Sequence, residues 1–184
     1  GFIFSFMLLF VFYDQKPNIW LFLALIIFSM SFKLRFIPGF SPFFITSKFA
    51  IGLENPLIGL FPLALLVPLA KTITDWKMVM KGLIFGLVGI ALLAFLGMLS
   101  GAIHLHFKLP SFFVGRLFSN LILTSIPEEG FFRGFVQKTL CRYFKNSKTG
   151  NLLALVLTSL LFTVAHLYWS PNLGILAFTF LASL

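Results

Sequence analysis

The sequence predicts an all-α protein, a polytopic bundle of transmembrane helices. Three observations carry that prediction. Hydrophobic residues fill 59% of the 184 positions, mean hydropathy is +1.03 and only 10% of residues are charged, where soluble domains carry about a quarter. The apolar residues fall into runs that approach the ~20 residues a helix needs to span the hydrocarbon core. The charged residues collect mostly in the short gaps between runs, where membrane-orientation signals belong. The net charge of +9 therefore reads as a topology signal, and no nucleic-acid partner is expected.

Run 1–12 opens the chain, and no basic segment precedes it. It reads as the interior of a spanning helix, not as a signal peptide. The turn Tyr13-Asp14-Gln15-Lys16-Pro17-Asn18 leads to a second run, 19–32. Residues 33–56 mix Lys33, Arg35, Lys48 and Glu54 with aromatics and with the breakers Pro38, Gly39 and Pro42. They read as an interfacial loop with a short Phe-rich helix at the headgroup level. Run 57–70 carries Pro62 and Pro68 and is expected to kink or to borrow residues from Phe49 onward. A polar link, 71–81, precedes the clearest span, 82–103, whose Gly82, Gly86 and Gly89 are expected to allow close helix packing. His104 and His106 follow in a loop and read as solvated rather than as metal ligands.

Residues 112–126 open the next helix. Pro127 lacks an N–H and its ring opposes the carbonyl of Leu123, so the helix must kink or restart there. Ser125 and Glu128 fit a capping box that would restart it. The helix then runs to Tyr143. A basic turn follows at 145–150, then a span at 151–169, a break at Ser170-Pro171-Asn172 and a last run from Leu173. The first and last runs read as helices cut short, so the chain is expected to be a fragment. Two regions result: 1–111, with N-terminal transmembrane helices and interfacial loops, and 112–184, with the polar constellation described next. The one cysteine, Cys141, cannot close an intrachain disulfide and reads as an inert thiol, with palmitoylation the alternative. Lys and Arg in the links after the first, third and fifth runs outnumber those in the opposite links by eight to four. That side is predicted to be cytoplasmic, with Glu128 and Glu129 toward it.

The chain is organised around Ser125-Ile126-Pro127-Glu128-Glu129-Gly130-Phe131-Phe132-Arg133, which holds two of its five acidic residues. An ionised side chain at membrane depth costs roughly 2.5–3.5 kcal/mol even on mild insertion scales, so a functional site is the default reading. On a helix, Glu128 and Glu129 point about 100° apart. Arg133 stands four residues past Glu129, the favourable order for an ion pair, which leaves Glu128 the freer carboxylate. Carboxyl groups in apolar cavities beside a second carboxylate hold their protons to higher pH, a tuning that catalytic bases often use. On the next span, Phe162 and His166 share a face one turn apart. The spacing suits two antiparallel helices joined by the basic turn, which brings His166 alongside Glu128. A purely structural role, with Glu129–Arg133 as a clamp and His166 as a polar link, would need separate reasons for the paired acids, the proline and the facing histidine.

Glu128-Glu129-x-x-x-Arg133 followed by Phe162-x-x-x-His166 on the next span resembles the CPBP family of intramembrane proteases, the type II CAAX prenyl proteases and bacteriocin-processing (Abi-like) proteins. The likeness begins near Phe112. It implies a bundle of about eight transmembrane helices, truncated here, in the cell membrane of a bacterium or an endoplasmic-reticulum-type membrane. It implies an endopeptidase in which Glu128 activates a water and His166 holds that water or stabilises the oxyanion. Glu129, Arg133 and Phe162 would support the site. The partners implied are membrane lipid and a peptide or lipidated-protein substrate. The resemblance leaves open whether zinc, on Glu128 and His166, takes part; one Glu and one His are too few for a catalytic zinc, which takes three protein ligands. The family's third motif, a later His followed four residues on by Asn or Asp, is absent, so the 184-residue chain by itself is expected not to be competent in proteolysis. No His-Glu-x-x-His, Gly-x-Ser-Gly or Gly-x-Gly-Asp motif points to another protease class. Two other readings stay open: a non-catalytic scaffold or bacteriocin-immunity protein on the same fold, and an ion- or proton-coupled transporter built on the broken helix.

Overall fold

Helices α1 (Phe2–Gln15) and α2 (Ile19–Lys33) arise from the first two apolar runs. Asn18 starts α2 by accepting the Trp20 N–H with its side chain, satisfying a donor that the first helical turn leaves open. The computed structural model describes residues 2–15, 18–34, 36–37, 43–46, 49–101, 104, 109, 112–167 and 172–184. The Pro38-Gly39 and Pro42 breakers, Arg35, Lys48, and the Ser170-Pro171 break lie outside them.

The chain is mostly helical, as expected, and departs from the all-α reading at one place, between α2 and the third helix. Strands β1 (Phe43–Thr46) and β2 (Phe49–Ile51) pair antiparallel, Phe43 with Ile51, Phe44 with Ala50 and Thr46 with Phe49, across a bulge. Among the described residues of this stretch, these strands stand where a short helix was expected. Aromatic and β-branched residues in Phe43-Phe44-Ile45-Thr46 favour extended backbone, and Phe43, Phe44 and Ile45 stand exposed.

Helix α3 (Glu54–Leu66) starts earlier than the apolar run and carries Pro62 inside it. Helix α4 (Ile73–Leu99) absorbs most of the supposed polar link. The reason is local: Thr72 accepts the Asp75 N–H while Asp75 accepts the Thr72 N–H, a reciprocal cap that nucleates the first turn. Residues 113–143 form one continuous helix, α5, considered below. Helix α6 (Lys148–His166) and helix α7 (Leu173–Ser183, capped by Asn172) complete the chain. Helices α4 and α6 are long and apolar enough to cross a membrane by length and composition.

The chain divides into two compact units: residues 1–67 with 109–158, and residues 68–108 with 159–184. The first is built on aromatic packing. Phe135 of α5 meets Phe10 of α1, Tyr13 of α1 and Phe22 of α2 at ring-centroid distances of 5.1, 5.3 and 5.4 Å, all edge-on, the arrangement aromatic quadrupoles favour. Tyr13 donates its hydroxyl hydrogen to Thr139 Oγ1 at 3.0 Å. Lys138 Nζ donates to the Leu66 carbonyl at 2.6 Å, meeting an acceptor that the end of α3 leaves unused.

Helix α3 crosses α5 at glycines. A Cβ on Gly59 would overlap the Pro127 carbonyl, and a Cβ on Gly130 would lie 2.7 Å from the Gly59 carbonyl oxygen and 2.9 Å from Leu63 Cβ. Small residues at such crossings let backbones approach. The glycines singled out in the sequence do not do this: among the described residues nothing lies within 4 Å of a Cβ placed on Gly82, Gly86 or Gly89. In the second unit α7 packs on α4, and Ser159 Oγ donates to the Ser183 carbonyl at 2.7 Å.

Candidate active site

The acidic pair sits in a helix that widens instead of breaking. Within α5, Ser119–Ser125 and Gly130–Gln137 are π-helical, and Ile126–Glu129 between them is α-helical. The Ile126 N–H reaches back five residues to the Leu121 carbonyl. Ser125 keeps helical backbone angles (φ −64°, ψ −49°) and makes no capping bond. The expected restart and capping box are therefore corrected. The wide turn before Pro127 absorbs its missing donor without ending the helix, a distortion common at functional sites.

Glu128 is not the free carboxylate the spacing suggested. Its Oε1 accepts from the ammonium of Lys33, the last residue of α2. The same ammonium donates to Asn55 Oδ1, in the first turn of α3, at 2.9 Å. Lys33 is 4% exposed and Glu128 11%, so each charge offsets the desolvation of the other. The i, i+4 arithmetic holds for the second acid: Glu129 Oε2 lies 3.6 Å from Arg133 Nε. Arg133 Nη1 also donates to Gln137 Oε1 at 3.2 Å. Glu129 is 64% exposed, so the more open carboxylate is the one paired with arginine.

These contacts also fix the level of the site. Thr139 meets Tyr13 near the α1–α2 turn, whereas Glu128, about three helical turns away, meets the opposite end of α2. The carboxylate thus stands away from the basic turn rather than toward it, and Lys33 is a buried partner, not a loop cation.

In the second unit, Phe162 and His166 share a face of α6, as expected. Their rings lie 4.4 Å apart between centroids, tilted by 36°. His166 Nδ1 lies 2.8 Å from the Phe162 carbonyl oxygen. A carbonyl only accepts, so Nδ1 carries a proton, and in the neutral ring Nε2 keeps its lone pair. Glu128 belongs to the first unit and His166 to the second.

Among the described residues no three His, Cys, Asp or Glu side chains stand close enough to share one metal ion, and Glu128 Oε1 is engaged by an ammonium. That donor set does not fit a catalytic zinc, which takes three protein ligands. Of the His-x-His pair, His104 is exposed and His106 lies outside the described residues.

Residues 110–184 match the Rce1-like family of type II CAAX prenyl endopeptidases. No curated protein and no solved structure matches the chain. The Rce1-like region takes in all of α5, α6 and α7, and so Glu128, Glu129, Arg133, Phe162 and His166. Lys33 and Asn55 lie outside it. Sequence reasoning missed both, although a signal was present: Lys33 closes one apolar run and Asn55 opens the next, so consecutive antiparallel helices bring them to one level.

Proposed function

We propose that the protein is an intramembrane endopeptidase of a multi-helix membrane bundle. In this reading Glu128 takes a proton from a water molecule as the water oxygen attacks the scissile carbonyl carbon. The carbonyl becomes a tetrahedral oxyanion. The proton then passes to the departing amide nitrogen, the C–N bond breaks, and a carboxylate and an amine leave. His166, its Nδ1 engaged with the Phe162 carbonyl, is the residue proposed to hold that water. Glu129 and Arg133 brace the helix, and Phe162 orients the imidazole.

The observation that carries the reading is a carboxylate sunk into an apolar helix packing and kept company there by a buried lysine. A charge pair in such a place is expensive to hold and gains little stability over apolar packing, so a chemical role accounts for it better than a clamp does. The Rce1-like match over the same helix supports it, and a prenylated CAAX peptide is the substrate class proposed here on that likeness. One observation favours a second assignment within the same chemistry: Glu129, being the exposed acid, is the rival base.

The test uses the protein from its complete reading frame, purified in detergent, with an internally quenched farnesylated CAAX peptide. Cleavage is expected in the wild type, with a loss of about 10²–10⁴-fold in Glu128→Gln and a smaller loss in His166→Ala. A Glu128→Gln protein as fast as wild type would remove Glu128 as the base. Absence of cleavage in the folded wild type would overturn the CAAX substrate class.

A further inference from the structure

The Rce1-like region begins at residue 110, yet the partner of its first acid comes from far upstream. Lys33 Nζ is bonded to Glu128 Oε1 and to Asn55 Oδ1. We propose that Lys33, anchored by Asn55, is the positioning residue of the Glu128 carboxylate. This rests on the reading of Glu128 as the base.

A lysine side chain is a flexible four-carbon stem with rotatable donors at its end, and by itself such a stem would not fix a carboxylate rotamer. Here the side chain is 4% exposed, its stem rooted at the end of α2 and its ammonium bonded to Asn55 in the first turn of α3. Helix α3 is in turn locked against α5 where Gly59 meets Pro127, the residue before Glu128. Stem, amide and helix crossing therefore converge on one carboxyl group. The N-terminal helices then contribute to the chemistry as well as to membrane anchoring.

The experiment measures kcat and KM of the full-length protein on the quenched farnesylated peptide, for Lys33→Met, Lys33→Arg, Asn55→Ala and Glu128→Gln, with melting curves in the same detergent. Lys33→Met keeps the stem and removes the charge; kcat is expected to fall about 100-fold with KM within two-fold of wild type. Lys33→Arg should recover kcat to within about ten-fold of wild type, and Asn55→Ala should lose roughly five-fold, as expected of one hydrogen bond. A Lys33→Met kcat within three-fold of wild type, with Glu128→Gln inactive, would overturn the positioning role and leave the base intact. An active Glu128→Gln would remove the base itself, and this proposal with it. If Lys33→Met does not fold, Asn55→Ala decides, assayed below its melting temperature: lowered kcat at constant KM supports the role, and unchanged kcat or a change in KM alone overturns it.

Discussion

Replacing Gly130 by alanine tests how the acidic pair is held. The new Cβ would stand 2.7 Å from the Gly59 carbonyl oxygen and 2.9 Å from Leu63 Cβ. Neither atom is the free end of a flexible side chain, so α3 itself must give way. In an open helix the same change would gain about 1 kcal/mol from backbone propensity. Overpacking a close contact costs about 1–3 kcal/mol, and two contacts inside 3 Å place this site at the upper end. The expected net loss is therefore ~1–2 kcal/mol, read as a lower midpoint in SDS titration or thermal melting of the detergent-solubilised protein. Gly82→Ala, Gly86→Ala and Gly89→Ala serve as internal controls, since nothing described lies near their Cβ positions; they should be neutral or slightly stabilising. A Gly130→Ala protein as stable as these controls would refute the crossing of α3 on α5.

Two further changes probe the packing beside it. Phe135→Ala empties the centre of the aromatic cluster, where Phe135 is fully buried; a loss of about 3 kcal/mol or more is expected from the same denaturation midpoint. Tyr13→Phe keeps the ring and removes the hydrogen bond to Thr139, so its midpoint should fall by only ~0.5–1.5 kcal/mol.

The helical runs were legible from the length of their apolar stretches, and the Glu129–Arg133 pair and the shared face of Phe162 and His166 from the 3.6-residue repeat. The strand pair Phe43–Thr46 and Phe49–Ile51 was hidden because its aromatics also suit a membrane interface, and composition does not separate the two. The early start of α4 depended on one reciprocal cap at Thr72 and Asp75, a signal of two residues inside a charged stretch. The partner of Glu128 was the larger omission. Local spacing counts charges on one helix, whereas Lys33 reaches Glu128 across 95 positions, and its place at the end of an apolar run imitates an orientation signal. The glycines illustrate the same limit: Gly82 and Gly86 carry the motif spacing, but Gly59 and Gly130, on different helices, do the packing.

The two neighbouring acids separate the account from its rival most directly. In the full-length protein, kcat on the quenched prenylated peptide should fall by roughly three orders of magnitude in Glu128→Gln and by no more than about ten-fold in Glu129→Gln, the range between losing a general base and losing a bracing ion pair. The reverse order, with Glu129→Gln inactive and Glu128→Gln retaining its rate, would move the chemistry to the exposed acid and leave Glu128 and Lys33 as a buried structural pair.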